Sequence, residues 1–389
     1  MTMQRNAAAR VVPLVLLGVA AMPVGATNGD QMPGLSAIQN GMAGAVVAAP
    51  QDAATVLVNP AGMAELNAKE LRVDLGVGFL SPPRRVNGFE SDSNLYMMPA
   101  GAMNLRIDDR LTFGMGLGGV SGMGVDFADT APAPGNQTVV TTKQFFKVSP
   151  GFAYRIDDRL ALGATFNINY QSLAISNPAF TLPQTQGFGW GLTAGVVWKA
   201  ADALQFGAAW SSKQRMDALE WNTAAGKFAM RMDAPQTLAL GVGWRPAKDL
   251  LVAADVKRIW FSKVLGSVAL ERPAGYAGPI PAAMPFGWSD QTVFALAVQK
   301  DMGDRMQLRA GFNYGKSPIE PADVNANIGS LAVVEKHLAL GLTRRFGEKV
   351  TGSLSWVHAF RNSVTSDVAP FNTIELKQNI VNFQLGYQF

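Results

Sequence analysis

KQNIVNFQLGYQF, residues 377–389 at the end of the chain, alternates between two kinds of side chain. From position 381 onward every odd position is apolar or aromatic. The even positions between them are polar or small, namely Asn382, Gln384, Gly386 and Gln388. A period of two places the two sets on opposite faces of a β-strand. A row of large apolar side chains promotes aggregation in water but is stable against lipid, so the stretch predicts a membrane-facing strand.

Two earlier stretches follow the same rule over about ten residues each. From Phe146 to Ile156 and from Leu160 to Tyr170 the even positions are mostly apolar or aromatic, and the odd positions are mostly polar or small. Transmembrane β-strands need about ten such residues, whereas strands of soluble sandwiches commonly have about five or six. We therefore predict an all-β protein that forms a transmembrane antiparallel β-barrel, with a soluble sandwich as the alternative.

The predicted connections alternate between short and long. Tight turns are predicted at residues 107–110, 156–159, 200–203, 246–249, 301–304 and 346–349. Long connections are predicted at residues 81–93, 121–142, 175–186, 214–233, 263–288, 316–332 and 362–375. This alternation is typical of outer-membrane barrels, and it gives about fourteen strands with both chain ends on the periplasmic side. The similar segments 105–117 and 154–166 are interpreted as two copies of one hairpin geometry, with Asp-Asp at the turn.

Composition and the N-terminus predict an exported protein. Charged residues are 16% of the 389 residues, and the net charge of +4 gives no indication of a nucleic-acid partner. Arg5 and Arg10 precede a short apolar run and the sequence Val24-Gly25-Ala26, which predicts a signal peptide over residues 1–26. The alternative, an uncleaved anchor, needs about 20 apolar residues. Cysteine is absent, which excludes disulfides and thiolate metal sites.

The region before the first predicted strand is of a different kind. Residues 27–68 contain no long alternating run, and they are too rich in small and apolar residues for a disordered leader, which is the alternative. Asn59 and Pro60 interrupt the apolar stretch at residues 52–66, where a helix would break. A barrel of this size has an open lumen unless something fills it. We therefore predict a plug, or hatch, over residues 27–68 inside a barrel of residues 69–389.

Several motifs of this region resemble those of a known family. Ala43-Gly44-Ala45, Asp52-Ala53-Ala54 and the Asn-Pro-Ala-Gly-Met-Ala run at 59–64 are similar to the N-terminal plug of FadL/TodX transporters. Further similar segments lie at residues 234–244, 288–291, 308–314 and 317–319. The resemblance implies a fourteen-stranded barrel in the outer membrane of a Gram-negative bacterium. It also implies passive transport of long-chain fatty acids or hydrocarbons, with lateral exit at a kinked third strand. The plug or gating residues that it implies are Asp52, Asn59, Pro60, Ala61 and Gly62.

The predicted third strand is unusually rich in glycine. Six glycines lie between positions 114 and 124, namely Gly114, Gly116, Gly118, Gly119, Gly122 and Gly124. Glycine weakens a strand and permits a bulge or a close approach of another chain segment. We predict a lateral opening at this cluster, with ordinary barrel curvature as the alternative.

The alternation also predicts which charged side chains face the lumen. They are Arg106, Lys147, Asp255, Lys257, Arg309 and Arg345. Lys147, Lys257 and Arg309 are the candidate substrate-binding residues, because a lumenal cation can bind a carboxylate through charge-assisted hydrogen bonds. The alternative is that these cations pair with lumenal acids such as Asp255.

Neither a catalytic site nor a metal or cofactor site is predicted. Ser353 and Ser355 fall on the lumen face and His358 on the lipid face, so they form no nucleophile–base pair. His337 and His358 fall on opposite faces and form no metal pair. The alternative function is a general diffusion porin for small polar solutes. The expected surroundings are outer-membrane lipid and lipopolysaccharide, with the barrel-assembly machinery recognising the C-terminal Phe389, and we expect a monomer.

Overall fold

The computed structural model describes residues 28–66, 71–128 and 139–389. The predicted signal peptide lies outside these residues. Within them, fourteen antiparallel strands, β1 to β14, form a cylinder in which each strand pairs with the next. β14 pairs with β1, so the cylinder is closed and the predicted barrel is confirmed. In chain order the strands are Leu71–Ser81, Tyr96–Arg106, Leu111–Asp126, Val140–Arg155, Leu160–Ser176, Thr181–Ala201, Leu204–Ser211, Thr237–Ala247, Leu250–Ile259, Gln291–Asp301, Met306–Gly315, Lys336–Phe346, Val350–Thr365 and Thr373–Gln388.

Smaller elements lie before the cylinder and in its long connections. The short strands are Arg84–Val86, Phe89–Glu90, Arg215–Met216, Leu219–Thr223, Gly226–Met230, Val268–Glu271 and Ala283–Met284. The α-helices are α1, Ala37–Gly41, and α2, Ser262–Leu265; the 3-10 helices are Ala53–Leu57, Pro60–Glu65 and Pro321–Asn327. Over the described ranges, none of these helices has the length and apolarity needed to cross a membrane.

The two Asp-Asp turns share one hydrogen-bond pattern. Asp108 Oδ1 accepts from the backbone N–H groups of Arg110 and Leu111 at 2.7 and 2.8 Å. Asp157 Oδ1 accepts in the same way at the next such turn, from the N–H groups two and three residues ahead, both at 2.8 Å. An aspartate that bonds the backbone ahead of it stabilises a tight turn. The likeness of these two segments therefore reflects one hairpin geometry.

Several strands, β3 to β6 among them, extend further toward the long loops than the alternation predicts. β3 ends at Asp126 and β4 begins at Val140, which shortens the connection predicted at 121–142. Residues 177–180 alone join β5 to β6. In these strands backbone pairing continues beyond the stretch in which apolar and polar residues alternate. On the outer face there, the Tyr170 hydroxyl donates to Gln186 Oε1 at 3.0 Å.

The two faces of the cylinder differ as predicted. On β14, Phe383 and Leu385 are 49% and 65% exposed on the outer face, whereas Asn382 and Gln384 are only 6% and 5% exposed on the inner face. At the end opposite the short turns, the long loops pack around a buried apolar cluster that includes Phe261 and Trp288. We call the two ends of the cylinder the short-turn end and the long-loop end.

Candidate functional site

Residues 28–66, here called the inner segment, lie inside the cylinder and are largely buried. α1 packs on β12 and β13, and the second of the segment's two 3-10 helices packs on β3 to β6. Glycines of the wall allow this close contact. A Cβ atom at Gly195 would overlap Asn59 Oδ1, and one at Gly163 would overlap the backbone at residues 60–61. Such close approach of another segment requires glycine at these wall positions.

Val58 and Asn59 separate the two 3-10 helices of the inner segment, and Pro60 begins the second helix. Asn59 Oδ1 accepts from the backbone N–H of Ala61 at 3.2 Å and so caps the second helix. The same side chain donates through Nδ2 to the carbonyls of Val47 and Val196, at 2.7 and 3.1 Å. Pro60 occupies the first helical position, where its fixed φ suits the helix and its missing N–H is not needed. Asn59 thus links the break to another part of the segment and to the barrel wall.

The other predicted plug residues are buried in the same region. Asp52 Oδ2 accepts from Gln384 Nε2 at 3.1 Å. Ala61 and Gly62 lie in the second 3-10 helix, and a Cβ atom at Gly62 would press on Pro50 and on a side chain of the first helix. These residues therefore shape the inner segment, and their role in gating stays a prediction.

Polar contacts tie the inner segment to the wall at the short-turn end. Asp74 Oδ2 accepts from the backbone N–H of Ala53 at 2.8 Å, and Arg72 pairs with Asp74 at 2.7 Å. Nearby, Glu65 forms an ion pair with Lys199 of β6. Charged side chains of β1, of β6 and of the inner segment therefore lie at the short-turn end of the bore.

Arg309 belongs to the same set of anchoring contacts. Its guanidinium donates to Gln51 Oε1 of the inner segment at 3.0 Å and to Gln307 Oε1 and Thr343 Oγ1 at 2.7 Å each. The structure therefore places this candidate substrate-binding residue among the anchors rather than on the wall of either cavity described next.

A cavity of about 160 Å³, here called the inner cavity, lies between the inner segment and the wall. Lys147 and Lys257 line it together with Asp255. Asp255 Oδ2 accepts from the backbone N–H groups at residues 46 and 47, at 2.7 and 2.8 Å. Lys147 Nζ donates to the carbonyl of Leu57 at 3.3 Å. Asp30 lines the same cavity, so its charged lining consists of two lysines and two aspartates.

A larger cavity of about 410 Å³, here called the outer cavity, lies at the long-loop end. Its apolar lining includes Met123, Leu173, Phe180, Met232, Met284 and Phe286. Its polar lining includes Thr141, Lys143, Asn177, Asn325 and Ser330. The sequence pattern did not indicate this cavity, because its walls come from strands and loops that are distant in the chain.

The hydrogen-bonded ladder between β2 and β3 stops partway along the two strands. Its last register pair is Ala100 with Gly118. Over the described residues, β3 beyond that pair is paired with β4 and, at Ser121, with Gln31, but not with β2. The next residue of β2 is Pro99, which has no backbone N–H to donate. Further on, the Tyr96 hydroxyl donates to the carbonyl of Gly124 at 3.2 Å. The interruption therefore lies between Gly118 and Gly124.

β3 also bulges within this interruption. Gly119 pairs with Phe146 of β4 and Ser121 with Phe145, which leaves Val120 as an extra residue. Val120 and Ser121 line the inner cavity. The cavity therefore extends to the part of the wall where β2 and β3 are not paired.

The six glycines of the third strand divide into two groups. Gly118, Gly119, Gly122 and Gly124 lie in or at the edge of the unpaired stretch, where the lateral opening was predicted. Gly114 and Gly116 lie in the paired part of β3, where Cβ atoms would collide with Met63 and Leu57 of the inner segment. The structure therefore places the latter two beside the inner segment instead.

The start of the inner segment covers the interruption from within. Gln31 forms an isolated antiparallel bridge with Ser121. Asp30 accepts a hydrogen bond from Ser121 Oγ and forms an ion pair of 2.7 Å with Lys143 of β4. Lys143 lies three positions before the alternating stretch that begins at Phe146, so that stretch does not predict its orientation. Continued toward the N-terminus, the same alternation puts Lys143 on the inner face, the face that also carries Lys147.

Ser353 and Ser355 lie on the opposite face of β13 from His358. Ser355 is buried, whereas His358 lies on the outer face, where its Nδ1 is 2.9 Å from Asn379 Oδ1. Ser353 Oγ lies 2.8 Å from Thr343 Oγ1. In the part of the chain that the structure describes, no group of three or more His, Cys, Asp or Glu side chains is positioned to hold a metal ion.

Comparisons with known proteins agree on one family and one fold. A family model described as "Outer membrane protein transport protein (OMPP1/FadL/TodX)" matches residues 19–351. No curated protein is detectably similar in sequence.

Solved structures resemble the barrel over nearly its whole length. The toluene transporter TodX of Pseudomonas putida has a TM-score of 0.74 and 18% identity, over 92% of this chain and 99% of that one. A FadL homologue of Pseudomonas aeruginosa has a TM-score of 0.75 and 16% identity, over 93% and 100%. The toluene transporter TbuX of Ralstonia pickettii has a TM-score of 0.72 and 17% identity, over 92% and 99%. At these identities the likeness establishes the fold.

Proposed function

Since the chain belongs to the outer membrane protein transport family (OMPP1/FadL/TodX), we propose that it transports hydrophobic small molecules passively and without a chemical step. The family and the closed barrel place it in the outer membrane of a Gram-negative bacterium. One observation supports the proposed route most directly: Val120 and Ser121 belong both to the inner cavity and to the interrupted part of the wall.

The route begins in the outer cavity. Met123, Met232 and Met284 contribute to its apolar walls, and flexible thioethers adapt to apolar ligands of different shapes. From there the substrate passes to the inner cavity, and it leaves sideways between β2 and β3 into the membrane. In this proposal the inner segment is the plug, and its first residues are the part that moves.

Energetics and anchoring both favour exit through the wall. An apolar molecule gains about 0.8 kcal/mol per CH₂ group on leaving water for an apolar phase. Exit into lipid is therefore more favourable than exit into the aqueous periplasm. The contacts between Asp74 and Ala53 and between Glu65 and Lys199 hold the inner segment across the axial path.

The proposed substrate is a long-chain fatty acid or a hydrocarbon. TodX and TbuX are described as toluene transporters, which makes a neutral hydrocarbon one candidate. Lys147 and Lys257 at the inner cavity favour an anionic headgroup, which makes a fatty acid the other.

A general diffusion porin is not favoured. Such a porin needs a continuous water-filled lumen, whereas here the inner segment lies across the bore and is fixed to the wall through Ala53, Gln51 and Asn59.

We expect the protein to act as a monomer surrounded by lipid and lipopolysaccharide. We also expect the barrel-assembly machinery to recognise Phe389, which is 54% exposed and whose ring centroid lies 4.6 Å from that of Tyr387.

Uptake and conductance measured together test the proposed function. Cells that lack their own fatty-acid transporter but retain lipopolysaccharide provide the uptake assay, with labelled oleate and labelled toluene as probes. We expect uptake of at least one probe above the empty-vector rate, together with nearly silent single-channel recordings of the purified protein. Steady conductance of small ions without uptake of either probe would identify a porin instead.

A further inference from the structure

A buried ion pair separates the two cavities. Lys143 lines the outer cavity and Asp30 lines the inner one, and their side chains meet at 2.7 Å. The side chains are only 8% and 2% exposed. A molecule that passes from one cavity to the other therefore meets this pair, together with Ser121, which donates to the same carboxylate oxygen.

The carboxylate of Asp30 is held through one of its two oxygens. Oδ2 bonds both Lys143 and Ser121, whereas Oδ1 is buried without a hydrogen-bond partner. The side chain of Asn28, two residues earlier, is also buried with both polar atoms unpartnered. Buried polar groups are nearly always hydrogen-bonded, because an unpaired one loses its interaction with water. The side chains of Asn28 and Asp30 are therefore incompletely satisfied, although the backbone at residues 30–32 bonds β3 at Val120 and Gly122.

We propose that Lys143 is a binding site for the carboxylate of an amphipathic substrate, and that Asp30 occupies this site when no substrate is bound. The proposal rests on the function proposed above and specifies its substrate class as a long-chain monocarboxylate. The acyl chain lies in the outer cavity against Met123 and Leu173, and the carboxylate reaches Lys143 on the same wall.

Exchange of one carboxylate for another preserves the charge balance at Lys143. A buried ammonium left without a counter-ion is unfavourable, so Asp30 leaves easily only when another anion replaces it. The released Asp30 carboxylate retains the inner cavity beside it, where water can solvate it. A neutral hydrocarbon or alcohol offers no replacement charge. When Asp30 is released, the adjacent bridge between Gln31 and Ser121 can also break. Breaking this bridge connects the outer cavity to the interrupted part of the wall.

Ligand affinities of two matched probes test this site. Oleate and oleyl alcohol share one hydrocarbon chain and differ in the headgroup, and binding of each is measured on the full-length protein in detergent. We expect Lys143→Met to lower oleate affinity about tenfold or more and to leave oleyl alcohol affinity within about twofold, because only the carboxylate loses a charge-assisted bond. We expect Asp30→Asn to raise oleate affinity several-fold, because it removes the internal competitor.

A matched control uses another lysine–aspartate pair. Lys213 and Asp233 lie 2.9 Å apart in the loop at residues 212–236, and neither lines either cavity. Lys213→Met should leave the preference for oleate unchanged. Heat-modifiable gel mobility confirms that each variant forms the barrel.

Two results would overturn the proposed site. The first is an oleate preference that Lys143→Met leaves intact in a folded barrel. The second is an equal change for both probes in Lys143→Met and Asp30→Asn, which would indicate a purely structural pair. In either case, continued uptake of a hydrophobic probe would leave the proposed transport function standing. Failure of the wild-type protein to bind or transport either probe would count against that function itself.

Discussion

The side-chain amide of Asn59 donates a hydrogen bond of 3.1 Å to the backbone carbonyl of Val196, which joins the break in the inner segment to strand β6. The neighbouring wall residue is Gly195, where a Cβ atom would overlap Asn59 Oδ1. The position of the inner segment therefore depends on two features. The Asn59 side chain bonds the wall, and glycine at position 195 leaves the space that this side chain occupies.

Gly195→Ala is expected to displace the inner segment without preventing barrel formation. Overpacking at a tight contact costs about 1–3 kcal/mol, and moving the inner segment relieves it more easily than moving a paired strand. Single-channel recordings should then show openings that the wild-type protein lacks. Gly187→Ala is the control on the same strand, because its nearest atom would lie 3.4 Å away, and it should remain silent. A silent Gly195→Ala variant would show that the wall glycine does not seat the segment.

Asn59→Ala is expected to impair uptake more than Pro60→Ala does. Loss of a helix cap costs about 0.5–2 kcal/mol, and this variant also leaves the carbonyls of Val47 and Val196 without their donor. Replacing a proline that suits its position costs only about 0.4–1 kcal/mol through the unfolded chain. Both variants should assemble normal barrels with reduced uptake of labelled substrate. Normal uptake by well-folded Pro60→Ala protein would exclude a role for the proline in gating.

A disulfide between residues 31 and 121 is expected to stop transport reversibly. Gln31 and Ser121 lie opposite each other in an antiparallel bridge, at a spacing that a disulfide can span. The chain has no cysteine, so Gln31→Cys with Ser121→Cys introduces the only two thiols. Uptake should be low in the oxidised protein and recover on reduction, while each single cysteine variant should be insensitive to reductant. Equal uptake in both redox states would mean that residues 28–32 do not move.

Lys147→Ala is expected to lower fatty-acid affinity more than hydrocarbon affinity. Lys147 lines the inner cavity, where Asp255 is already bonded to two backbone N–H groups of the inner segment. The Lys147 ammonium can therefore pair with a substrate carboxylate, and loss of this ammonium should reduce fatty-acid affinity several-fold. The measurement compares oleate with an alkane of similar length. Equal losses for both ligands would contradict a carboxylate role for this lysine.

The lipid-facing half of the fold could be predicted from the sequence because its signal is local. In a strand such as β14, apolar residues at alternate positions indicate which side chains face lipid. Asp108 and Asp157 indicate turns, because each bonds the backbone two and three residues ahead. The outer ends of strands lack this signal. Beyond the lipid, the outer face no longer needs to be apolar, so the alternation fades while the pairing continues.

The site was harder to predict because it depends on contacts between distant residues. Asp30 and Lys143 are 113 positions apart. The alternation along a strand predicts the face on which a lysine lies, but it does not predict which carboxylate pairs with that lysine. The glycines of the third strand show the same limitation. Gly114 and Gly118 are both even positions of the same strand, yet one faces Met63 and the other borders the interrupted ladder.

Deletion of Val120 tests the lateral route most directly. Gly119 and Ser121 already pair with adjacent residues of β4, so removing the extra residue straightens β3 without changing its register on either side. A straight β3 can extend its ladder with β2 and close the wall. If substrate leaves between these strands, uptake of labelled oleate and toluene by the deletion variant should fall to the empty-vector rate while the barrel remains folded. Uptake at the wild-type rate from a folded variant would contradict exit through this part of the wall.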